Sequence, residues 1–124
     1  MESLSQTIEV LAPPEISGKL CINYRIAGIP RMFLIGQYDS PFVRRVAIAM
    51  RLYGIAFEHR PWSTFGDADK IAPYNPLRRV PTLVLDSGEA LLESTAILDY
   101  LDETVGPDKA MLPARGEARR RQLR

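Results

Sequence analysis

The chain has 124 residues and a mass of 13.9 kDa, which is enough for one domain with short appendages. Apolar residues make up 46% and charged residues 25%, which excludes wholesale disorder, and no apolar run approaches the roughly 18 residues that a membrane-spanning helix needs. The net charge of +1 gives no reason to expect nucleic acid or a membrane as a partner, and the single cysteine, Cys21, excludes an internal disulfide.

The N-terminal segment, residues 1–31, balances three basic against three acidic residues. It shows no sustained period of 2 or 3.6, and Pro13-Pro14, Gly18 and Gly28 interrupt it, so we expect an irregular extension. Because Met32 opens the first strongly patterned stretch, one hypothesis is that the natural chain begins there.

Residues 32–60 predict a β-α-β unit. A short apolar run, Met32–Tyr38, ends at the turn signal Asp39-Ser40-Pro41 and suits a buried strand. Pro41 fits the first turn of a helix over 42–53, and Gly54 fits its end. The helix places one apolar stripe against the core: Phe42, Val43, Val46, Ala47, Met50 and Tyr53. Residues 55–60 alternate as a half-buried strand, which should run parallel to the first after a right-handed crossover.

The next stretch is a loop followed by a hairpin. Residues 61–79 are rich in proline and glycine, with room for one short helix around 66–72. Two apolar runs, 82–86 and 89–92, flank Ser87-Gly88 and predict a tight antiparallel hairpin with a two-residue connection.

A second long helix closes the pattern. Ser94 is a favourable N-cap, and Gly106-Pro107 ends the helix. Its apolar stripe comprises Ile97, Leu98, Leu101 and Val105. The element order predicts an α/β, thioredoxin-like domain in which helices pack on a mixed four-stranded sheet.

Ser40 lies at the junction of a strand end and a helix start. Unpaired backbone N–H groups and the positive end of the helix dipole favour an anion there, including a thiolate. The alternative is that Ser40 only caps the helix. A redox Cys-x-x-Cys pair usually occupies this junction in thioredoxin-like folds, but here the four residues are Ser40-Pro41-Phe42-Val43, so dithiol–disulfide chemistry is not expected.

Two further places carry functional alternatives. A cis peptide bond before Pro81 would turn the N–H and C=O of Val80 outward, where an extended peptide can pair; an ordinary trans proline at the strand start is equally compatible. Glu93 and Ser94 either complement and cap the helix, or form a bipolar clamp that holds a ligand carboxylate and a ligand ammonium.

Three motifs resemble the N-terminal domain of the glutathione transferase family in order and spacing: SPFVRRVAIAMRLYGIAFE, NPLRRVPTL and LLESTAILDYLDE. The resemblance covers about residues 32–113 and is strongest to serine-type members, including the plant tau class and small bacterial relatives. It implies a thioredoxin-like fold that binds glutathione as a co-substrate, with no metal, and activates its thiol for attack on an electrophilic small molecule. It also implies a cytoplasmic protein that is a homodimer at full length.

The resemblance also implies residue roles. Ser40 would donate a hydrogen bond to the glutathione sulfur, with Tyr38 as the next donor, and Val80 ahead of a cis Pro81 would pair with the cysteinyl backbone. A free thiol with a pKa of about 8.5 is only a few per cent ionised at pH 7. A hydrogen bond to the charged form, contributing about 1.5–3 kcal/mol, lowers that pKa by roughly one to two units.

The other ends of glutathione have candidates by the same resemblance. Glu93 and Ser94 would hold the γ-glutamyl end, and Arg79 stands where the family often places a basic residue near the glycyl carboxylate.

Family members continue into an all-helical domain that supplies most of the electrophile pocket. Residues 112–114 resemble the linker to it, and 115–124, with a net charge of +4, resemble its first turns, so we expect 114–124 to begin a truncated helical domain. The electrophile therefore stays unidentified. The alternative function is a glutathione- or protein-binding module without catalysis, or an inactive fragment.

The remaining candidates favour structural roles. His59 has no second ligand at metal spacing. Trp62 and Phe65 either rim the site or pack, with packing favoured, and the arginines at 119–121 suit a solvated helix face better than a phosphate site. Cys21 has no charged neighbour that would lower its pKa, and no role is assigned to it.

Overall fold

A computed structural model describes residues 31–124, which form a mixed four-stranded sheet with helices packed on it. The strands are β1 (Phe33–Ile35), β2 (Glu58–Arg60), β3 (Thr82–Val84) and β4 (Ala90–Leu92). The helices are α1 (Pro41–Leu52), α2 (Ala68–Ile71), α3 (Ser94–Val105) and α4 (Gly116–Leu123). Each predicted element of 32–113 is confirmed, although the strands are shorter than their apolar runs. The expected extension at 1–31 lies outside the described residues, except for Arg31.

The strand order is β2-β1-β3-β4. β1 and β2 are parallel, with Leu34 opposite His59, whereas β3 is antiparallel to both β1 and β4. This arrangement confirms the thioredoxin-like prediction. It also places the end of β1 beside the start of β3, so the loop after β1 and the segment before β3 meet at one edge of the sheet.

The hairpin between β3 and β4 differs from the prediction. The N–H of Leu85 donates to the carbonyl of Glu89 at 2.8 Å, and the N–H of Gly88 donates to the carbonyl of Leu85 at 2.9 Å. The connection therefore has three residues, not two. Gly88 adopts φ +94°, which is the left-handed position that such three-residue turns require.

The sheet has an apolar layer on each face because successive strand residues point to opposite sides. Leu34 and Leu83 pack with α1 and α3 in the larger cluster, whereas Ile35 and Val84 pack with Ile71 of α2. Along α1 the predicted stripe is buried or half-buried, with one exception that contradicts the prediction.

That exception is Phe42. Its side chain is 56% exposed and lies outside the core cluster, although Val43 in the same turn is fully buried. The guanidinium of Arg45 lies 5.9 Å from the Phe42 ring centroid, so the ring contacts a charged side chain at the surface. Among residues 31–124, no helix is both long enough and apolar enough to cross a bilayer.

Candidate functional site

Ser40 lies between β1 and α1, as predicted. Its Oγ accepts a hydrogen bond from the backbone N–H of Val43 at 3.3 Å, so the capping role is confirmed. A hydroxyl that accepts this bond keeps its own proton free to donate. Ser40 can therefore cap α1 and donate to a bound anion at the same time.

Gly36 makes a close approach possible at the start of this turn. Its φ is +137°, and a Cβ at this position would lie 2.4 Å from Cγ2 of Val43 and 3.0 Å from Cβ of Val80. Only glycine fits both the backbone conformation and the space. The sequence placed Gly36 inside a strand run, and nothing in its spacing indicated that it joins β1, α1 and Val80.

The peptide bond between Val80 and Pro81 is cis, which settles the choice that the sequence left open. Asn75 supports the segment before it. The Asn75 Nδ2 group donates to the carbonyl of Arg79 and to Oγ1 of Thr82, both at 3.1 Å, and its Oδ1 accepts from the N–H of Leu77 at 2.9 Å. Asn75 is 1% exposed, so its amide has these partners in place of water.

Ser40 and Val80 line the same cleft, which has a volume of about 210 Å³. The other lining residues are Gln37, Asp39, Trp62, Ser63, Thr64 and Phe65. Trp62 both lines the cleft and packs against the second core cluster. Phe65 is 97% exposed, so the favoured packing interpretation is wrong for this residue and it forms part of the rim.

The turn that carries Phe65 is held by Asp67. The Asp67 carboxylate accepts from the backbone N–H of Ser63 at 2.8 Å and pairs with Lys70 at 3.2 Å. The Ser63 N–H, followed by Lys70, lowers the pKa of the Asp67 carboxyl below its ordinary value. Phe65 is exposed here on an ordered turn, since its own N–H donates to Oγ of Ser63 at 3.0 Å.

The positions of Glu93 and Ser94 at the start of α3 differ from the prediction. Ser94 is the first residue of the helix, and Glu93 takes the N-cap position without a side-chain capping bond, so the Ser94 N-cap is wrong. The Ser94 Oγ instead accepts from Nε and Nη2 of Arg45, at 3.2 and 2.7 Å. Glu93 has φ +70°, a strained conformation for a residue with a side chain, and such strain clusters at functional sites.

Arg45 is a further candidate for the site, and the sequence did not indicate it. Its Nη2 also donates to Oγ1 of Thr95 at 3.0 Å, so one guanidinium holds two hydroxyls at the start of α3. Together with the N-terminal N–H groups of that helix, it makes this position favourable for a carboxylate. The sequence showed Arg45 only as a polar position of α1, because its partners lie 49 and 50 residues away.

The structure does not bring all predicted site residues to one cavity. Glu93 and Arg45 line a second, more apolar cavity of about 850 Å³ between α1, α3 and α4. Arg79 is exposed and lines neither cavity.

Tyr53 connects elements around the larger cavity. Its hydroxyl donates to Asp102 and accepts from the N–H of Met111 at 2.7 Å. Burial, followed by the bond to Asp102, raises the pKa of the Tyr53 phenol above its ordinary value.

His59 lies against the turn before Ser40. Its Nε2 is 2.7 Å from the carbonyl oxygen of Gly36, and its ring stacks on Tyr38 with centroids 4.0 Å apart. These contacts agree with the structural interpretation. In the described part of the chain, no group of three or more His, Cys, Asp or Glu residues is placed to hold a metal ion.

Comparison with known proteins gives consistent matches. A family model described as "Glutathione S-transferase, N-terminal domain" matches residues 34–109. The GST-like protein YibF of Escherichia coli is 39% identical over 82 residues, covering 66% of this chain and 40% of that protein. Glutathione S-transferase U7 of Arabidopsis thaliana is 32% identical over 80 residues, covering 64% of this chain and 35% of that protein.

Solved structures agree. A glutathione transferase family member from Pseudomonas fluorescens Pf-5, with bound glutathione, superposes with a TM-score of 0.63 at 34% identity. The match covers 74% of this chain and 46% of that one. This chain thus spans less than half the length of each of these relatives.

Proposed function

Because the chain belongs to the glutathione S-transferase family, we propose that residues 32–113 bind glutathione and activate its thiol as a thiolate that attacks an electrophilic small molecule. The observation that carries this proposal is the cleft shared by Ser40 and Val80, at which a hydroxyl donor lies beside the residue that precedes a cis proline. The Pseudomonas relative holds bound glutathione in its crystal structure, which supports the choice of ligand.

The sulfur end of glutathione is assigned to Ser40. The hydroxyl proton is free to point into the cleft, and the N-terminus of α1 adds its positive potential. Val80 is half-buried and lines the same cleft, so its backbone N–H and C=O are the groups proposed to pair with the cysteinyl unit.

The γ-glutamyl end is assigned to the start of α3. Ser94 and the N-terminal N–H groups of α3 would receive the ligand carboxylate, with the charge of Arg45 behind them. The exposed carboxylate of Glu93 would take the ligand ammonium. Arg79 is proposed to attract the glycyl carboxylate as an exposed charge.

The wider assignments follow the family. We propose a detoxification role in the cytoplasm, a homodimer for the full-length form, and a domain boundary near residue 114. α4 occupies 116–123, which supports a helical segment after that boundary.

The first experiment removes the Ser40 hydroxyl. In Ser40→Ala, glutathione binding should stay within about twofold of the unaltered chain, because the other contacts persist. The bound thiol should lose its stabilising donor, so its pKa should rise by about one to two units. The measurement is ultraviolet absorption of the glutathione thiolate against pH, together with calorimetric titration of glutathione.

Ser87→Ala is the matched control, because Ser87 lies in the β3–β4 turn outside the cleft. It should change neither quantity. An unaltered thiol pKa in Ser40→Ala would contradict the role of Ser40 and move it to Tyr38. A conjugation assay with a generic electrophile then separates the two functions: glutathione binding without turnover supports the non-catalytic binding module.

A further inference from the structure

We propose that His59 and Arg44 are positioning residues for Ser40: together they hold the backbone turn 36–40 from two sides and so fix the direction of the Ser40 hydroxyl. This inference rests on the proposed function, since it concerns the same thiolate. Neither residue lines the cleft, and both act through the turn.

His59 holds the first half of the turn. Because a carbonyl oxygen only accepts, the 2.7 Å contact requires that Nε2 of His59 carries a proton and donates to Gly36. The same imidazole stacks on Tyr38 at an interplanar angle of 10°. The His59 side chain therefore contacts the carbonyl of Gly36, four residues before Ser40, and the ring of Tyr38, two residues before it.

Arg44 holds the second half from α1. Its Nη1 donates to the carbonyl of Tyr38 at 2.7 Å and to the carbonyl of Asp39 at 3.3 Å. These carbonyls belong to the two residues immediately before Ser40. Because Arg44 is exposed, it contributes little by burial, and these two hydrogen bonds are its contribution to the turn.

The backbone of Ser40 has one local bond of ordinary length, since its carbonyl accepts from the N–H of Arg44 at 3.0 Å. Its hydroxyl and its own N–H are held less closely: the capping bond to Val43 is 3.3 Å, and the N–H reaches the carbonyl of Gln37 at 3.2 Å, both at the long end of the range. A catalytic donor needs to be held within about 0.5 Å of the productive geometry. The 2.7 Å bonds from His59 and Arg44 supply that restraint.

The experiment compares His59→Leu and Arg44→Ala with the unaltered chain. Each should raise the pKa of the bound thiol by about one unit, which lowers the thiolate fraction near neutral pH by roughly fivefold. The glutathione dissociation constant should change by less than about threefold, because neither residue touches the ligand. His59→Gln retains an N–H donor of similar reach and should restore most of the thiolate fraction.

Two variants are controls, one for a loss of packing near β2 and one for the loss of an exposed arginine. Phe57→Leu alters a half-buried side chain beside β2 that packs on the α1–α3 cluster, and Arg120→Ala removes an arginine of α4. Both should leave the thiol pKa unchanged. Hydrogen exchange of the Ser40 amide, measured without glutathione, should quicken by about tenfold in His59→Leu and not in Phe57→Leu.

The outcomes separate this inference from the proposed function. If the unaltered chain binds glutathione and lowers its thiol pKa, but His59→Leu and Arg44→Ala do so equally well, the positioning role is wrong and the proposed function stands. If the unaltered chain leaves the thiol pKa at its free value, both are wrong. A raised pKa in both variants with recovery in His59→Gln supports the inference.

Discussion

Two single residues, Asn75 and Arg45, organise the backbone around the proposed site. Asn75 does so as a buried amide, and Arg45 through hydrogen bonds to two hydroxyls. Asn75 makes three hydrogen bonds that hold residues 77–82, including Val80 and the cis Pro81. Arg45 joins α1 to the first two residues of α3. The proposed ligand contacts at Val80 and Ser94 therefore depend on side chains that need not touch the ligand.

Gly36→Ala tests the close approach at the cleft. The added Cβ would meet Val43 and Val80 in a backbone conformation that alanine disfavours, so the free energy of unfolding should fall by about 2–4 kcal/mol. Urea denaturation measures this loss. Gly88→Ala is the control, since φ is also positive there but a Cβ meets no atom within 4 Å. An equal loss in both variants would contradict the steric role of Gly36.

At the scale of elements, polar tethers fix the loops that the sheet leaves open. The turn before α2 depends on the Asp67 carboxylate, and the segment after α3 depends on Tyr53, which links Asp102 to Met111. Each of these side chains hydrogen-bonds the backbone of a loop. The bond from Asp67 to Ser63 holds the turn that carries the exposed Phe65 at the rim of the cleft.

The Asp67 tether predicts a pH dependence. The pKa of the Asp67 carboxyl is lower in the folded protein than in the unfolded chain. Its stabilising effect is therefore fully present above the unfolded pKa of about 4, and it is lost as the pH falls through the lower, folded pKa. Asp67→Asn should remove this acid-dependent part. We expect the thermal stability of the variant to fall less steeply than that of the unaltered chain as the pH drops below about 4.

Glu117→Gln is the control for a carboxylate on α4, whose partner is Arg121. It should leave the dependence assigned to Asp67 in place. Identical acid profiles for the unaltered chain and Asp67→Asn would show that the tether does not contribute.

The elements were predictable from sequence because their signals are local. The apolar stripe of α1, the alternation of 55–60 and the glycines at 54 and 106 each follow from spacing and backbone preference. At Gly54, for example, the N–H of Ile55 returns to the carbonyl of Met50 at 2.9 Å, which is the ending that a glycine at this position favours.

One error arose where a distant segment competes for a polar group. Ser94 matches an N-cap by its neighbours, but the guanidinium of Arg45 takes its hydroxyl. Phe42 and Phe65 match core positions by residue type, yet both are exposed, and residue type alone does not separate a core ring from one at the surface. The proposed site residues come from motif resemblance, whereas the hydrogen bonds that surround them needed the structure.

At the scale of the whole chain, the family match and the proposed glutathione contacts fall in the same part of the sequence. Residues 34–109 match the family model, and the chain covers 40% of its E. coli relative. The cleft of Ser40 and Val80 lies within the matched part. Because the proposed contacts for glutathione all fall between residues 40 and 94, the described domain holds every group that the binding proposal requires.

The most direct test of that claim is titration of the isotope-labelled chain with glutathione, followed by backbone amide NMR. Saturable shifts should cluster at Ser40, Val80 and Glu93–Ser94, with the turn of Gly88 unaffected. A glutathione analogue methylated at sulfur should weaken the shifts near Ser40 more than those near Ser94. Absence of saturable shifts, or shifts confined to residues outside these three places, would contradict the proposed glutathione site.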